Sequence, residues 1–305
     1  MWLLLLGLVA VIYLYRWNRQ RQILENLTDK YVLITGCDSG FGNLAARQLD
    51  KRGLKVLATC LTEKGAEDLK KETSSRLQTT IMDVTDSQSV SNAVQWADNI
   101  TGSAGLWGLV NNAGIYIPIG PNEWMKKEDY VKILNVNLLG MIDVTLKLLP
   151  LVRRAKGRIV NISSSAGRVN FFGGGYGISK HGVEAFSDSL RRELSCFGIR
   201  VSIIEPGAFK TMSDVTLFKG SFEKMLENIP ADIKENYGEQ HINQSLQRMG
   251  KFMKYCSTNL SMVTDCMEHA LTARYPWTRY SPGWDVKFFY IPLSYLPTVI
   301  SDYVL

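Results

Sequence analysis

A tyrosine and a lysine stand four positions apart near the middle of the chain, in the segment Tyr176-Gly177-Ile178-Ser179-Lys180. On a helix this spacing puts both side chains on one face, about 5–6 Å apart at Cβ. A lysine ammonium group beside a phenol favours the phenolate and lowers a pKa that normally lies near 10. Such a tyrosine can carry the hydroxyl proton of an alcohol or carbonyl substrate. A tyrosine and a lysine at this spacing are common by chance, so the pair is evidence for catalysis only together with other motifs.

A glycine-rich turn provides a second piece of chemistry. Gly36, Gly40 and Gly42 lie between a short apolar run and a helical pattern, and Ser39 and Phe41 lie within the same turn. Glycines at such a turn let the backbone approach a pyrophosphate closely, and the helix N-terminus supplies N–H donors and partial positive charge. The turn therefore predicts a dinucleotide site.

The end of the second strand bears on which dinucleotide is bound. An acidic residue there would bind the adenosine ribose, and a nearby arginine would accept a 2′-phosphate. The chain has Thr59, Cys60 and Leu61 at this point, which are neither acidic nor basic. Thr59 is thus the residue expected to face the ribose. The missing phosphate partner favours NAD and leaves NADP as the alternative.

Strand and helix patterns alternate from about Thr28 onward, and they must position these residues. The strand-like runs are short and continuously apolar, at 30–36, 54–60, 79–84, 106–112, 157–164 and 199–207. Continuous apolar runs are typical of strands buried on both faces, and alternation with helices indicates a parallel sheet. We therefore predict an α/β fold, a Rossmann-type doubly wound parallel sheet with helices on both faces. One catalytic domain is expected over residues 28–305.

The amino end has the pattern of a membrane anchor. Residues 2–15 carry no charge, and Arg16, Arg19 and Arg21 follow at once. A cleaved signal peptide would need a basic start and a small-residue cleavage site, and this segment has neither. The arginines favour a cytoplasmic side for the rest of the chain by the positive-inside rule. We predict a membrane anchor helix with its basic flank over residues 1–22.

Composition excludes several classes of function. Lys and Arg total 35 against 29 Asp and Glu, and no long basic run is present, which argues against nucleic-acid binding. Five scattered cysteines without CxxC spacing argue against a disulfide framework and a zinc cluster. Only three histidines are present, so no metal site is expected.

The motifs together resemble the short-chain dehydrogenase/reductase family. Between about Lys30 and Gly207 the chain has TGxxxGxG, DV, NNAG, a helix asparagine, a serine, YxxxK and PG in the family's order and approximate spacing. The resemblance implies that Tyr176 transfers the proton, that Lys180 lowers its pKa and holds the nicotinamide ribose, that Ser164 orients the substrate, and that Asn137 positions a relay water. It also implies that the cofactor is lined by Gly36, Ser39, Gly40, Phe41, Gly42, Asp83, Val84, Asn111, Ala113, Gly114, Pro206, Gly207 and Thr211, together with Tyr176 and Lys180.

Longer stretches, among them ITGCDSGFGNLAARQLD and GLWGLVNNAG, are similar to the membrane-bound retinol dehydrogenase and hydroxysteroid dehydrogenase group. That similarity implies NAD-dependent oxidation of retinol or of 3α- and 17β-hydroxysteroids at the endoplasmic reticulum membrane. Residues 208–255 carry many apolar side chains and would form a lid, with Phe209 and Met212 against an apolar substrate. The same side chains would equally serve to seal the domain core.

Two other functions use the same sequence features. An NADPH-dependent reductase of retinal or ketosteroids would run the same residues in reverse. A catalytically silent dinucleotide-binding scaffold would need the glycine turn but would not need tyrosine, lysine and serine together. The carboxyl end, residues 288–305, carries one charge, Asp302. Such an apolar segment would pack on the domain or on a second subunit, and in the second case the protein would be a homo-oligomer.

Overall fold

Seven parallel strands form one sheet in a computed structural model that describes residues 2–170, 173–210 and 215–305. The strands are β1 Tyr31–Ile34, β2 Lys55–Cys60, β3 Leu77–Ile81, β4 Gly108–Asn111, β5 Arg158–Ile162, β6 Arg200–Ile204 and β7 Arg279–Tyr280. Their spatial order is β3-β2-β1-β4-β5-β6-β7, and every neighbouring pair is parallel. The predicted doubly wound α/β sheet is confirmed, with its order reversing between β1 and β4.

Helices connect the strands and cover both faces of the sheet. They are α1 Trp2–Gln20, α2 Gly40–Lys51, α3 Glu63–Lys71, α4 Ser87–Thr101, α5 Lys127–Leu134, α6 Met141–Arg154, α7 Gly175–Leu194, α8 Val215–Glu227, α9 Ala231–Tyr255, α10 Ser261–Thr272, α11 Ile291–Leu293 and α12 Thr298–Val304. A π-helical turn, Asn135–Gly140, joins α5 to α6, and a second, Val286–Tyr290, precedes α11. Such turns often occur at functional sites.

Two apolar layers hold the helices to the sheet. Along β1, Val32 and Ile34 face a layer that contains Met267 of α10, whereas Leu33 faces a layer that contains Val144 of α6. Successive strand residues point to opposite faces. Because both faces are covered, each strand is apolar throughout, which is the pattern on which the sequence prediction depended.

The strand β7 was not predicted from the sequence. It has two residues, and its register is Ile203↔Arg279 and Ile204↔Tyr280. A run this short has no apolar periodicity of its own. Its place in the sheet is fixed by tertiary contacts, including a hydrogen bond from Glu205 N to Tyr280 O at 2.7 Å.

Arg158 ties the amino ends of the strands to α10. The residue is 3% exposed, and its guanidinium group donates hydrogen bonds to Ala270 O at 2.8 Å and Ala273 O at 2.6 Å. It also lies over the ring of Trp107, 4.9 Å from the centroid. Burial lowers the pKa of Arg158 to about 10, so the group remains charged at neutral pH.

We expect Arg158→Met to destabilise the domain by about 1–3 kcal/mol, because two buried carbonyl groups lose their donors while the apolar contact with Trp107 is largely kept. Thermal unfolding of the detergent-solubilised protein measures this. The control is Arg192→Met on the exposed side of α7, which should leave the midpoint nearly unchanged. Equal midpoints for the two variants would contradict this role for Arg158.

The amino-terminal helix extends beyond the predicted apolar segment. It covers 19 residues, which at about 1.5 Å per residue gives about 28 Å. Leu5, Leu8, Val11 and Leu14 on this helix are exposed. Its end is joined to the domain, since His269 Nε2 donates to the carbonyl of its last residue at 2.8 Å.

A different helix has the length and hydropathy of a membrane span. Among the described residues it is the continuous helical stretch Lys127–Arg154, and 39% of its most apolar part is buried. Val144, Leu148 and Val152 in this stretch pack against the sheet as part of the domain core. The core helices of soluble proteins can have the same length and hydropathy. Packing against the sheet therefore explains why this stretch is apolar.

Candidate active site

The residues of the predicted catalytic group meet beside the carboxyl ends of β4 and β5. Gly114 follows β4, and a Cβ atom built there would lie 3.3 Å from Asn137 Oδ1 and 3.8 Å from Lys180 Nζ. Ser164 follows β5, and its hydroxyl hydrogen-bonds the Tyr176 phenol. Two strand ends, the π-helical turn and the start of α7 thus bring these side chains together.

The side chain of Ser164 is held by the backbone of the turn that follows it. It stands at the N-terminus of the short turn Ser165–Gly167, and Ala166 N donates to its Oγ at 3.1 Å. Ser165 N donates to Pro206 O at 2.9 Å, which connects this turn to the segment after β6. The hydroxyl of Ser164 is therefore fixed in position beside the phenol.

Lys180 is buried, and its ammonium group points toward the sheet. Nζ donates to Ile162 O at the end of β5 at 2.8 Å and lies 5.7 Å from the centroid of the Tyr176 ring. Burial lowers the pKa of Lys180 to about 8, and the charge of Glu184 opposes that change. The side chain is therefore close to its charge transition at physiological pH.

The expected lowering of the Tyr176 pKa is not seen in the protein's own residues. Burial raises the pKa of the phenol, and the hydrogen bond with Ser164 opposes the rise. The lowering was expected from the charge of Lys180 alone, and desolvation of the phenol acts in the opposite direction. With the ammonium group directed to Ile162 O, desolvation is the larger effect.

Asn137 uses its amide to bind the segment after β4. Its Nδ2 donates to Ile115 O at 2.7 Å and to Ser179 Oγ at 3.0 Å, and its Oδ1 accepts from Ile115 N at 2.8 Å. Ser179 Oγ donates in turn to Tyr176 O at 2.6 Å. The asparagine thus joins the NNAG segment to the helix that carries the tyrosine.

The glycine turn has the shape needed for close approach by a phosphate group. Gly36 and Gly40 have φ of 69° and 62°, a backbone region that favours glycine. A Cβ at Gly36 would lie 2.9 Å from Ala113 Cα, and one at Gly42 would lie 2.4 Å from Gly36 O. Ser39 precedes α2 without a side-chain cap, so its hydroxyl does not occupy the helix N-terminus. These features fit a dinucleotide pyrophosphate.

Thr35 and Asn112, which are not among the predicted cofactor residues, hold the two cofactor segments together. Thr35 Oγ1 accepts from Asn112 N at 3.0 Å and from Ala113 N at 2.9 Å. Asn112 Nδ2 donates to Thr35 O at 2.9 Å and to Gly36 O at 3.1 Å. A polar residue directly before the first glycine and the second asparagine of NNAG were the available signals.

The remaining predicted cofactor residues differ in how they are used. After β3, Asp83 accepts from Thr85 N and Oγ1, both at 2.8 Å, and Val84 O faces the π-helical turn, 2.6 Å from a Cβ built on Gly140. Asn111 is buried and donates to the side chains of two other residues, Thr145 and Asn161. Asn111 therefore supports the sheet from inside.

Thr59 is not brought to the site by the fold. Its side chain is 0% exposed and its hydroxyl donates toward Ile34 O at 3.4 Å. Asp38, in the glycine turn, lies at the surface of this strand end instead. Its carboxylate accepts from Leu61 N at 2.8 Å, Thr62 N at 2.9 Å and Thr62 Oγ1 at 2.7 Å. The carboxylate at the end of the second strand therefore comes from the glycine turn and not from β2 itself.

The segment after β6 is held by the carboxyl-terminal part of the chain. Gly207 N donates to Pro282 O at 3.0 Å, and Ala208 N donates to Asp285 Oδ2 at 2.8 Å. Phe209 makes an edge-to-face contact with Phe41 of the glycine turn at 5.7 Å. Thr211 and Met212 lie outside the described residues.

The predicted lid region, 208–255, contains the helices α8 and α9. Trp124 contacts Phe222 of α8 at 5.6 Å and Tyr237 of α9 at 5.1 Å, edge to face in both pairs. Ile119 and Met225 belong to the same buried cluster. These side chains pack the two helices onto the segment that follows β4, so the described apolar side chains do seal a core beside the site.

A separate apolar cavity of about 390 Å³ lies next to this region. Ala208, the end of α9 and the segment before the second π-helical turn contribute its walls. Its lining residues are Ala208, Phe252, Tyr255, Ser257, Met262, Gly283, Trp284, Asp285 and Tyr290. The four predicted catalytic residues are not among them.

Comparison with known proteins identifies the relatives of the chain. A family model described as short chain dehydrogenase matches residues 30–221. Retinol dehydrogenase 7 of Rattus norvegicus and 17-beta-hydroxysteroid dehydrogenase type 6 of Homo sapiens are each 58% identical over 306 aligned residues, covering 100% of this chain and 96% of the relative. A short-chain dehydrogenase of Streptomyces avermitilis superimposes with a TM-score of 0.71 at 25% identity, covering 90% of this chain and 95% of that one.

Proposed function

The chain belongs to the short-chain dehydrogenase family, and on that premise we propose that it oxidises the hydroxyl group of a lipophilic alcohol with NAD. The alcohol is a retinol or a 3α- or 17β-hydroxysteroid. Full-length relatives with these names support the substrate class. The single observation that carries the reaction type is the meeting of Tyr176, Ser164, Lys180 and Asn137 beside the glycine turn.

NAD, when bound, supplies the acceptor for the hydride of the alcohol carbon. Its pyrophosphate would be held by the glycine turn, by the backbone of Gly36, Gly40 and Gly42 at the N-terminus of α2. Asp38 favours NAD over NADP, because a carboxylate accepts ribose hydroxyls and repels a 2′-phosphate. This carboxylate is already oriented by the N–H groups of Leu61 and Thr62.

Tyr176 takes the proton of the alcohol through its phenol oxygen. Ser164 hydrogen-bonds that oxygen and is itself fixed by Ala166 N. The oxygens of Tyr176 and Ser164 would therefore bind the substrate hydroxyl together. Oxidation requires the phenolate, and burial raises the pKa of the phenol. The oxidation rate should therefore rise with pH.

Lys180 and Asn137 have supporting roles beside the tyrosine. Lys180 would hold the ribose next to the nicotinamide with its ammonium group, which is anchored on Ile162 O. Asn137 links Ile115 to Ser179, one turn from Tyr176, and would position the water that relays the proton. Both assignments are supported by the burial of the two side chains, 6% and 2% exposed.

A lipophilic substrate fits a protein held at a membrane. We infer that α1 anchors the chain, because its apolar side chains are exposed and the arginines Arg16, Arg19 and Arg21 follow them. The domain would face the cytoplasm at the endoplasmic reticulum. Segment 208–255 would form the lid, and Phe209 and Met212 would contact the substrate.

The experiment that tests this function is an initial-rate assay in detergent-solubilised membranes. NAD and NADP are each tested with all-trans-retinol and with 3α-androstanediol, and the reverse reaction is tested with NADPH. We expect turnover with NAD on at least one alcohol. Reduction by NADPH without oxidation by NAD would instead identify a reductase, and no turnover in either direction would identify a silent scaffold.

A further inference from the structure

A network of charged side chains lies directly behind Lys180. Glu184 is one helical turn further along α7, is 7% exposed, and accepts a hydrogen bond from Arg279. The same guanidinium group donates to Glu205 Oε1 at 2.7 Å and to Asp188 Oδ2 at 2.9 Å. Arg279 therefore holds carboxylates from α7 and from the end of β6 at once.

The network also contacts the segment after β6 and the short turn Ser165–Gly167. Glu205 immediately precedes Pro206. It also accepts a hydrogen bond at 3.2 Å from Nη1 of Arg168, the residue directly after the short turn Ser165–Gly167. At Gly167, a Cβ would lie 3.0 Å from Lys180 O and 3.1 Å from Glu184 Cγ. The serine turn thus packs against α7 between the lysine and the glutamate.

Few charges act on the buried ammonium group of Lys180. On its own helix the charge is that of Glu184, since the Tyr176 phenol is neutral, and the facing strand end and π-helical turn present the neutral Ile162 O and Asn137. Arg279 binds both Glu184 and Glu205. Burial raises the pKa of Glu184, which its hydrogen bonds from Ser163 and Arg279 oppose.

We propose that Glu184 is a positioning residue, held by Arg279 on β7, that keeps the Lys180 side chain charged at the end of β5. The inference rests on the proposed function, in which that ammonium group holds the cofactor ribose. It also explains why a strand of two residues closes the sheet, because β7 delivers Arg279 to the back of the site. A carboxylate four residues from a buried lysine stabilises the ammonium form.

The test is the pH dependence of NADH binding, measured by nicotinamide fluorescence between pH 6 and pH 10. In the wild type, affinity should fall as pH rises through about 8, the pKa of Lys180. In Glu184→Gln the fall should occur about one pH unit lower, which makes binding about fivefold weaker at pH 8 and nearly equal at pH 6.

Asp188→Asn is the matched control. It removes another carboxylate that Arg279 holds on the same helix, but one whose charge does not act on Lys180. Its binding midpoint should equal that of the wild type. A midpoint that does not move in Glu184→Gln, or one that moves equally in Asp188→Asn, would overturn the proposal. Thermal unfolding of all variants separates loss of fold from loss of charge.

Glu184→Asp completes the series. It keeps the carboxylate but withdraws it by one methylene, so its midpoint should lie between those of the wild type and the glutamine variant. If the glutamine variant does not fold, the aspartate variant carries the test, and a midpoint at or above the wild-type value overturns the proposal. If the wild type itself does not bind NADH at any pH, the proposed function fails first.

Discussion

Replacing Tyr176 with phenylalanine should lower kcat for alcohol oxidation by about 10²–10⁴-fold, the range typical of a lost acid–base group. The ring and its packing remain, and the phenol oxygen that hydrogen-bonds Ser164 is removed. NADH binding should stay within about twofold of the wild type, because the glycine turn and Lys180 are untouched. Rapid-mixing measurement of NADH formation, with NADH titration by fluorescence, tests both expectations.

The control for that variant is Tyr303→Phe, which removes a phenol at a position that is 92% exposed. It should keep wild-type kcat. Substantial turnover in Tyr176→Phe would remove the tyrosine from the proton-transfer step, and a parallel loss of NADH binding would mean that the substitution disturbs the cofactor site. The two measurements together therefore distinguish chemistry from structure.

Replacing Asp38 with asparagine should raise the ratio of kcat/KM with NADP to kcat/KM with NAD by about 10–100-fold, the effect of removing one nearby charge at an effective dielectric constant of about 20. Asparagine keeps the size of the side chain and one accepting oxygen. The close approach of this side chain to α3 depends on Gly65, where a Cβ would lie 2.5 Å from Asp38 Oδ1. The change of preference should be measured with the same alcohol for both cofactors.

Glu63→Gln is the matched control for Asp38→Asn. Glu63 is an exposed acidic residue at the start of α3, beside the same strand end. Neutralising it should change the cofactor ratio by less than about twofold, because an exposed charge is screened by solvent. An unchanged ratio in Asp38→Asn, or equal changes in the two variants, would contradict the role given to Asp38.

The sheet could be predicted from the sequence because its strands are buried on both faces. Each of β1 to β6 falls within or near a predicted apolar run, and β3 begins two residues earlier than the run at 79–84. The strand β7 could not be predicted in this way, since Arg279 is charged and is held by Glu184, Asp188 and Glu205 through tertiary contacts.

Site residues could be predicted where a local turn requires a particular residue type. They could not be predicted where contacts with distant parts of the chain determine the position of a side chain. Gly36 and Gly40 have the positive φ values that a glycine-rich turn requires. The position of Asp38 depends on donors 23 and 24 residues away in the chain, so its carboxylate could not be assigned to the end of β2 from spacing alone. The raised pKa of Tyr176 likewise follows from burial, which the sequence pattern does not contain.

The central claim is that a hydride passes from a lipophilic alcohol to NAD while Tyr176 takes the proton. It is tested most directly with all-trans-retinol and 3α-androstanediol deuterated at the carbinol carbon, incubated with NAD and the membrane-bound protein. Mass spectrometry of the recovered cofactor should find one deuterium in each NADH formed, in step with the aldehyde or ketone product. NADH without deuterium, or no NADH from either alcohol, would contradict the account.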